Sequence, residues 1–303
     1  MTLVSARVRV PCSTSNLGSG FDTLGIAMER YLDARFEPGG SELDVRRTGT
    51  LAPLDEEPDR DLLVQAFVRG LGAAGAMARG VLQVHSEIPV ARGLGSSAAA
   101  LVAGHDLALA ALQRGSDPLA SFRYAYEREG HGDNAASCAL GGFRAVVPGA
   151  DGPRALALEI SPEVGFAYAA PADGVATADA RAALPLQVAH HVAVAELGYL
   201  TALLRGLAIG DPELIRVGVA DELHVPYRLP LITRAFGAMD SAREAGAWAV
   251  TISGSGSGLV AMCAPDEAAV VAEAMKGVFA AGGDADRCIG FELRPDFEGI
   301  ARV

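Results

Sequence analysis

The sequence predicts an α+β fold on three observations. Strand candidates alternate with helix candidates along the first half. In the second half, helices stand against strands that pair about a glycine-rich break at residues 254–258. Half of the composition is hydrophobic, ample for large cores. At roughly 150 residues per domain, 303 residues predict two domains. The pattern restarts after residue 155, so the expected halves are 1–155 and 156–303.

Residues 6–11 alternate like a strand and run into a polar, glycine-punctuated turn over 12–22. Residues 31–36 read as a second strand. Residues 61–78 read as a helix, with Leu62, Leu63, Ala66 and Phe67 near one face. A strand at 81–86 leads through a glycine turn into a small-residue helix over 98–112. Pro118 opens another helix that ends near Gly130. A turn and strand cover 141–147. Strands at 156–160 and 165–170 precede helices over 186–205, 212–223 and 231–246. A strand at 247–253, the glycine break and a strand at 259–263 form a hairpin. A helix over 266–280 and a strand at 289–294 close the pattern.

The net charge of -12 argues against a broad nucleic-acid surface, and nucleic acid is not an expected partner. Lys276 is the one lysine. A Walker-type phosphate loop ends in Gly-Lys-Ser/Thr, so the chain is not a P-loop enzyme. Residues 1–8 lack an apolar signal core, and no uncharged apolar run reaches the length of a membrane span. The cysteines Cys12, Cys138, Cys263 and Cys288 form no CxxC pair. Cys138 near His131 reads as a small core residue rather than a zinc ligand. A soluble cytoplasmic protein without a membrane partner is expected.

The most informative segment is Pro89-Val90-Ala91-Arg92-Gly93-Leu94-Gly95-Ser96-Ser97-Ala98-Ala99. Strand, glycine turn, two hydroxyls and helix start make the local architecture of an anion site. Free amides at a helix N-terminus carry the positive end of its dipole. Gly93 and Gly95 bring those amides close to a ligand, and Ser96 or Ser97 caps the helix or meets a metal. Phosphate binding is the leading reading; a capped surface turn is the plain alternative.

Three glycine-containing polar loops look like parts of one site. The first runs Pro11-Cys12-Ser13-Thr14-Ser15-Asn16-Leu17-Gly18-Ser19-Gly20-Phe21-Asp22, the second is Pro89 to Ala99, and the third surrounds Thr251-Ile252-Ser253-Gly254-Ser255-Gly256. In this order they resemble the GHMP small-molecule kinase superfamily. Glu129-Gly130-His131-Gly132-Asp133-Asn134, Ala180-Arg181-Ala182-Ala183-Leu184-Pro185 and Leu223-His224-Val225-Pro226-Tyr227-Arg228 resemble its homoserine-kinase family. The resemblance covers essentially the whole chain. Prolines common in the family are absent at Gly132 and Ser137, the third loop continues Ser257-Gly258, and Asp61 stands where an Asn often precedes the helix near the adenine pocket.

The resemblance implies an N-terminal half like a ribosomal-protein-S5 second domain, a ferredoxin-like C-terminal half, and an active site between them. It implies ATP- and Mg2+-dependent phosphorylation of the side-chain hydroxyl of L-homoserine, in threonine biosynthesis, by a homodimer. Residues 89–99 would hold the nucleotide, and Ser97 and Glu129 the metal, with Glu127 as the nearby rival. Asn16, Asp22, His131, Asn134, Arg181 and Arg228 would surround the acceptor. Arginine's planar fork suits its α-carboxylate, and Asp22 suits its ammonium. Thr177 would lie beside the phosphate or the acceptor hydroxyl, and Ser97, Glu129, Asn134 and Thr177 form the catalytic set. Asn134 cannot act as a base, so transfer without a protein base is expected, with Asp22 or Asp133 as the competing choice. Asp61 is expected to cap its helix, and Arg92 is open between phosphate clamp and solvent. Another GHMP substrate, or a non-catalytic ligand sensor, is the alternative function.

Overall fold

The computed structural model describes residues 2–54 and 60–303. Along the chain run β1 (Ala6–Ser15), β2 (Leu24–Pro38), β3 (Leu43–Gly49), α1 (Leu62–Gly72), β4 (Gly80–Ser86), α2 (Ser96–Ala111), α3 (Pro118–Glu129), α4 (Asp133–Leu140), β5 (Phe143–Val147) and β6 (Arg154–Leu158). There follow β7 (Gly165–Ala170), α5 (Thr177–Ala182), α6 (His190–Ile209), α7 (Pro212–Gly218), α8 (Val225–Arg228), α9 (Ala235–Glu244), β8 (Ala249–Ile252), β9 (Leu259–Cys263), α10 (Ala268–Ala280), β10 (Ile289–Leu293) and β11 (Ala301–Arg302).

Two sheets organise these elements. The seven-stranded sheet has the order β11-β1-β2-β4-β3, with β5 paired to β2 and β6 to β5. Its pairs are antiparallel except β3 with β4. The four-stranded sheet has the order β10-β7-β9-β8 and is antiparallel throughout. β11 carries the C-terminal end back onto β1, where Arg302 donates to both oxygens of the buried Asp106. One core lies under the larger sheet, with Phe36, Phe67, Leu101 and Phe122 fully buried. A second, around Ile252, Val271 and Met275, lies under the smaller sheet.

β1 continues through Cys12, Ser13 and Thr14 to Ser15, where a turn was expected from residue 12. It is paired with β2 down to Ser15–Gly25, so its last serines sit on rigid sheet at the cavity edge. α4 and β3 lie outside the elements expected from the sequence. Asp61 caps α1 by accepting from the Leu63 and Val64 N–H groups at 2.9 and 3.1 Å. α6 is the one described helix whose length and composition would allow it to cross a membrane. It bears Glu196 and Arg205 and packs against α7.

Candidate active site

Where β4 turns into α2, the chain bends through Ala91 at φ 55°, Gly93 at φ 77° and Gly95 at φ 65°. This left-handed path keeps the N-terminal amides of α2 open. The cap is Gly95, with no side-chain cap, so of the two roles open to Ser96 and Ser97, capping is not the one taken. A cavity of about 660 Å³ lies over this turn. Pro89 to Ser97 line it, whereas Ala98 and Ala99, expected to share nucleotide binding, are fully buried in the core and do not.

The three loops interlock beneath the cavity. Thr14 Oγ1 and Ser253 Oγ lie 2.9 Å apart, and Ser253 Oγ donates to the Gly93 carbonyl at 2.7 Å. The Gly254 N–H donates to the Ser15 carbonyl at 3.1 Å. Asn16 Nδ2 donates to the Gly254 carbonyl at 2.7 Å, while its Oδ1 accepts from the Asp22 N–H at 2.8 Å. A Cβ on Gly93 would come within 2.0 Å of the Ser253 carbonyl oxygen, so only glycine permits this approach.

The polar end of the cavity beyond this turn draws on four segments. Asp22 and Arg181 form a two-bond ion pair at 2.9 and 3.0 Å. Arg228 is buried and donates through Nε to the Ala180 carbonyl at 3.1 Å. His131 Nδ1 lies 3.0 Å from Asp133 Oδ1. Burial would raise the Asp133 carboxyl, but hydrogen bonds from His131 and Ser15 hold it below the usual carboxylate range. The same bond raises His131 against its own burial. Asn134 donates to Ser15 Oγ and accepts from Ser13 Oγ, each at 2.9 Å. Thr177 opens α5 on the cavity rim, 3.3 Å from Ser255 Oγ.

Ser97 and Glu129 meet at the mouth of the phosphate turn. Burial raises the Glu129 carboxyl, with a hydrogen bond from Ser97 acting against it. Glu129 Oε2 is buried without a hydrogen-bond partner. A hydroxyl beside an orphaned carboxylate oxygen is a donor set for a hard divalent cation. Glu127 is exposed and does not line the cavity. Arg92 lines the cavity and turns Nη2 to the Ala172 carbonyl rather than into solvent, while its buried Nη1 has no hydrogen-bond partner. Asp61 lines the opposite wall, with one oxygen on the α1 amides and the other taking Arg47 Nε at 2.8 Å.

Sequence reasoning overlooked Ser13 and Ser15, which hold Asn134. Their spacing of two in a strand places both on one face, and that is the signal that marks them. It also overlooked the compensation at Ser257, whose Oγ donates to the Asp173 carbonyl at 2.7 Å.

Comparison with known proteins follows the same lines. Residues 62–142 match the family model of the GHMP kinases N terminal domain, and residues 202–281 that of the GHMP kinases C terminal. A homoserine kinase of Moorella thermoacetica is 37% identical over 292 residues, covering 95% of this chain and 96% of the relative. One from Synechococcus sp. is 37% identical over 288 residues, covering 92% and 90%. The crystal structure of homoserine kinase from Cytophaga hutchinsonii superposes with a TM-score of 0.85 at 27% identity, covering 99% of this chain and 97% of that one. Mevalonate kinase of L. major, at 15% identity and TM-score 0.70, shares the fold. The cavity, the loop order and these matches agree: the chain belongs to the homoserine-kinase family of the GHMP kinases, kinases of small hydroxylated metabolites.

Proposed function

We propose that the protein transfers the γ-phosphoryl group of ATP to the side-chain hydroxyl of L-homoserine, giving O-phospho-L-homoserine and ADP. One observation carries this reading: a single cavity joins an amide cradle for phosphate to an end bearing Asp22, Arg181 and Arg228. That end offers one carboxylate and two guanidinium groups, which complement the ammonium and carboxylate of an amino acid. The homoserine kinases among its relatives support the choice of acceptor.

In this reading the amides of residues 93–97 bind the phosphate oxygens and Arg181 and Arg228 grip the α-carboxylate. Asn134, in the first turn of α4 and pinned by Ser13 and Ser15 of β1, faces the acceptor hydroxyl. Ser97 and Glu129 would hold Mg2+, which would supply positive charge to offset that of the phosphates. The new O–P bond forms as the bond between the β,γ-bridging oxygen and the γ-phosphorus breaks. The hydroxyl proton leaves to a phosphate oxygen or water, because Asp133 is buried and held low and Asp22 is taken by the substrate ammonium. Positioning and electrostatics then supply the rate.

The family resemblance also supports a cytoplasmic homodimer, and Val194 and Leu197 leave an uncovered apolar strip on α6 for a second copy. Sedimentation at micromolar concentration checks it, with a monomer as the contrary result. For the reaction, ADP release is measured with ATP and Mg2+ and no acceptor, L-homoserine, L-threonine, L-serine or mevalonate. Stimulation by L-homoserine alone, with the phosphorylated product seen by mass, is expected. Binding of ATP without homoserine stimulation would favour another GHMP substrate or a sensor.

A further inference from the structure

Phe21 directly precedes Asp22, and its loop is fastened to residues 218–228 at several points. Ser19 Oγ donates to the Gly218 carbonyl at 2.6 Å. Gly18, at φ 79°, runs so close to Val219 that a Cβ would come within 2.1 Å of its carbonyl oxygen. The fully buried His224 places Nε2 3.0 Å from the Gly18 carbonyl and stacks on the Phe21 ring at 4.8 Å and 20°.

The same ring meets Arg228, whose Cζ lies 4.9 Å from its centroid. The Arg228 N–H donates to the His224 carbonyl at 3.0 Å, so imidazole and guanidinium are neighbours one helical turn apart. Asp221 secures this turn by accepting from the His224 and Val225 N–H groups at 2.9 and 2.6 Å. Burial lowers His224 below its ordinary pKa, so at neutral pH it stacks as an uncharged ring beside Arg228. A single aromatic ring therefore joins the residue before the Asp22 carboxylate to the guanidinium opposite it.

We infer that Phe21, with His224 stacked behind it, is a positioning residue for the acceptor: its ring fixes the separation of Asp22 from Arg228, and through it the length of amino acid whose hydroxyl reaches the phosphate turn. This inference rests on the amino-acid reading given above. Loop packing alone would make a different pattern, because loss of the first loop would also loosen residues 253–254 and the phosphate turn that they brace. Acceptor and nucleotide would then suffer together.

The test measures kcat and KM for L-homoserine, L-serine and ATP in the unmutated protein, Phe21→Leu, Phe21→Tyr, Arg228→Lys and the Phe21→Leu/Arg228→Lys double variant. Phe21→Leu is expected to raise the homoserine KM about tenfold, the scale of a desolvated cation–ring contact. It is expected to narrow the preference for homoserine over serine and to leave the ATP KM within about twofold. Phe21→Tyr keeps the ring and should restore the homoserine KM to within about twofold of the unmutated value. Added to Arg228→Lys, Phe21→Leu should cost less than about threefold more, because both act on one guanidinium. Equal losses for ATP and homoserine, or effects that multiply in the double variant, would overturn the inference while leaving the substrate reading intact. No homoserine turnover by the unmutated protein would overturn both.

Discussion

Asp22 and Arg181, 159 residues apart, form a two-bond ion pair across the acceptor end of the cavity. Both side chains are about a third exposed, so the pair contributes about 0–1 kcal/mol to stability. Its chemical consequence is larger. An amino acid carries the same two charges, so it can enter by exchanging partners, ammonium to Asp22 and carboxylate to Arg181. Asp22→Asn and Arg181→Gln are each expected to raise the homoserine KM by about 10–100-fold, the scale of a charge-assisted hydrogen bond. Their melting temperatures should stay within about 2 °C of the unmutated protein. Steady-state kinetics and thermal scans check both. A collapse of kcat in Asp22→Asn at unchanged KM would make Asp22 the base.

Glu129 sets stability against function. Burial raises its carboxyl above the usual carboxylate range, so the metal-free native state disfavours its charge. For such a group, the stability contribution is full below the unfolded pKa and is lost as pH rises through the folded one. Glu129→Gln should therefore raise the metal-free melting temperature at pH 7.5, by about 2 °C per kcal/mol. It should also lower kcat by about a hundredfold or more, since no anion remains beside Ser97 to bind a divalent cation. Unchanged activity with an unchanged Mg2+ requirement would remove Glu129 from the metal site.

How much of this was readable beforehand depends on where the information lies. The ends of α3 are written in its caps: Asp117 accepts from the Ala120 N–H at 2.9 Å, Pro118 opens the first turn, and Gly130 closes it at φ 78°. α4 is marked at its end by Gly141 at φ 66°, but Gly132 offers no side-chain cap at its start and only eight mostly small residues lie between. β3 alternates Leu43 and Val45 with charged residues and becomes a strand through its parallel pairing with β4. Within the site, the motifs disclose which residue types converge, but not their pairing. Asn16 spends its amide on the Gly254 carbonyl and the Asp22 N–H, and Arg92 turns Nη2 to the Ala172 carbonyl. Those pairings are fixed by the meeting of loops far apart in sequence.

The His131–Asp133 pair predicts a pH signature. His131 is raised above 6.5, so its contribution is full below that value and lost as pH rises through the folded pKa. Asp133 is held below 3.8, so its contribution is present above that value and lost as pH falls through its folded pKa. The pair therefore stabilises most between about pH 4 and 6.5. Asp133→Asn should cost about 3 kcal/mol there, as expected for breaking a largely buried pair, and less above the His131 pKa. It should also shift the His131 imidazole titration to lower pH. NMR of the ring protons and thermal scans across pH 4–9 check both, and an unmoved titration would separate the two residues.

Gly93 tests whether the loops work as one cradle. Its φ of 77° suits glycine, and a Cβ would sit 2.0 Å from the Ser253 carbonyl oxygen, a backbone atom that cannot rotate aside. Gly93→Ala must therefore part the phosphate turn from the third loop, breaking the Ser253 bond to the Gly93 carbonyl. A destabilisation of about 1–3 kcal/mol is expected from the backbone alone. The larger effect should fall on ATP, because the amides of residues 93–97 lose their common aim. Ser253→Ala removes the hydroxyl contacts to Gly93 and Thr14 without any backbone clash and should cost about 1–3 kcal/mol. An ATP KM in Gly93→Ala that rises no further than in Ser253→Ala would show that the cradle tolerates separation of the two loops. A rise at least tenfold greater would show that their close approach sets the geometry of the amides.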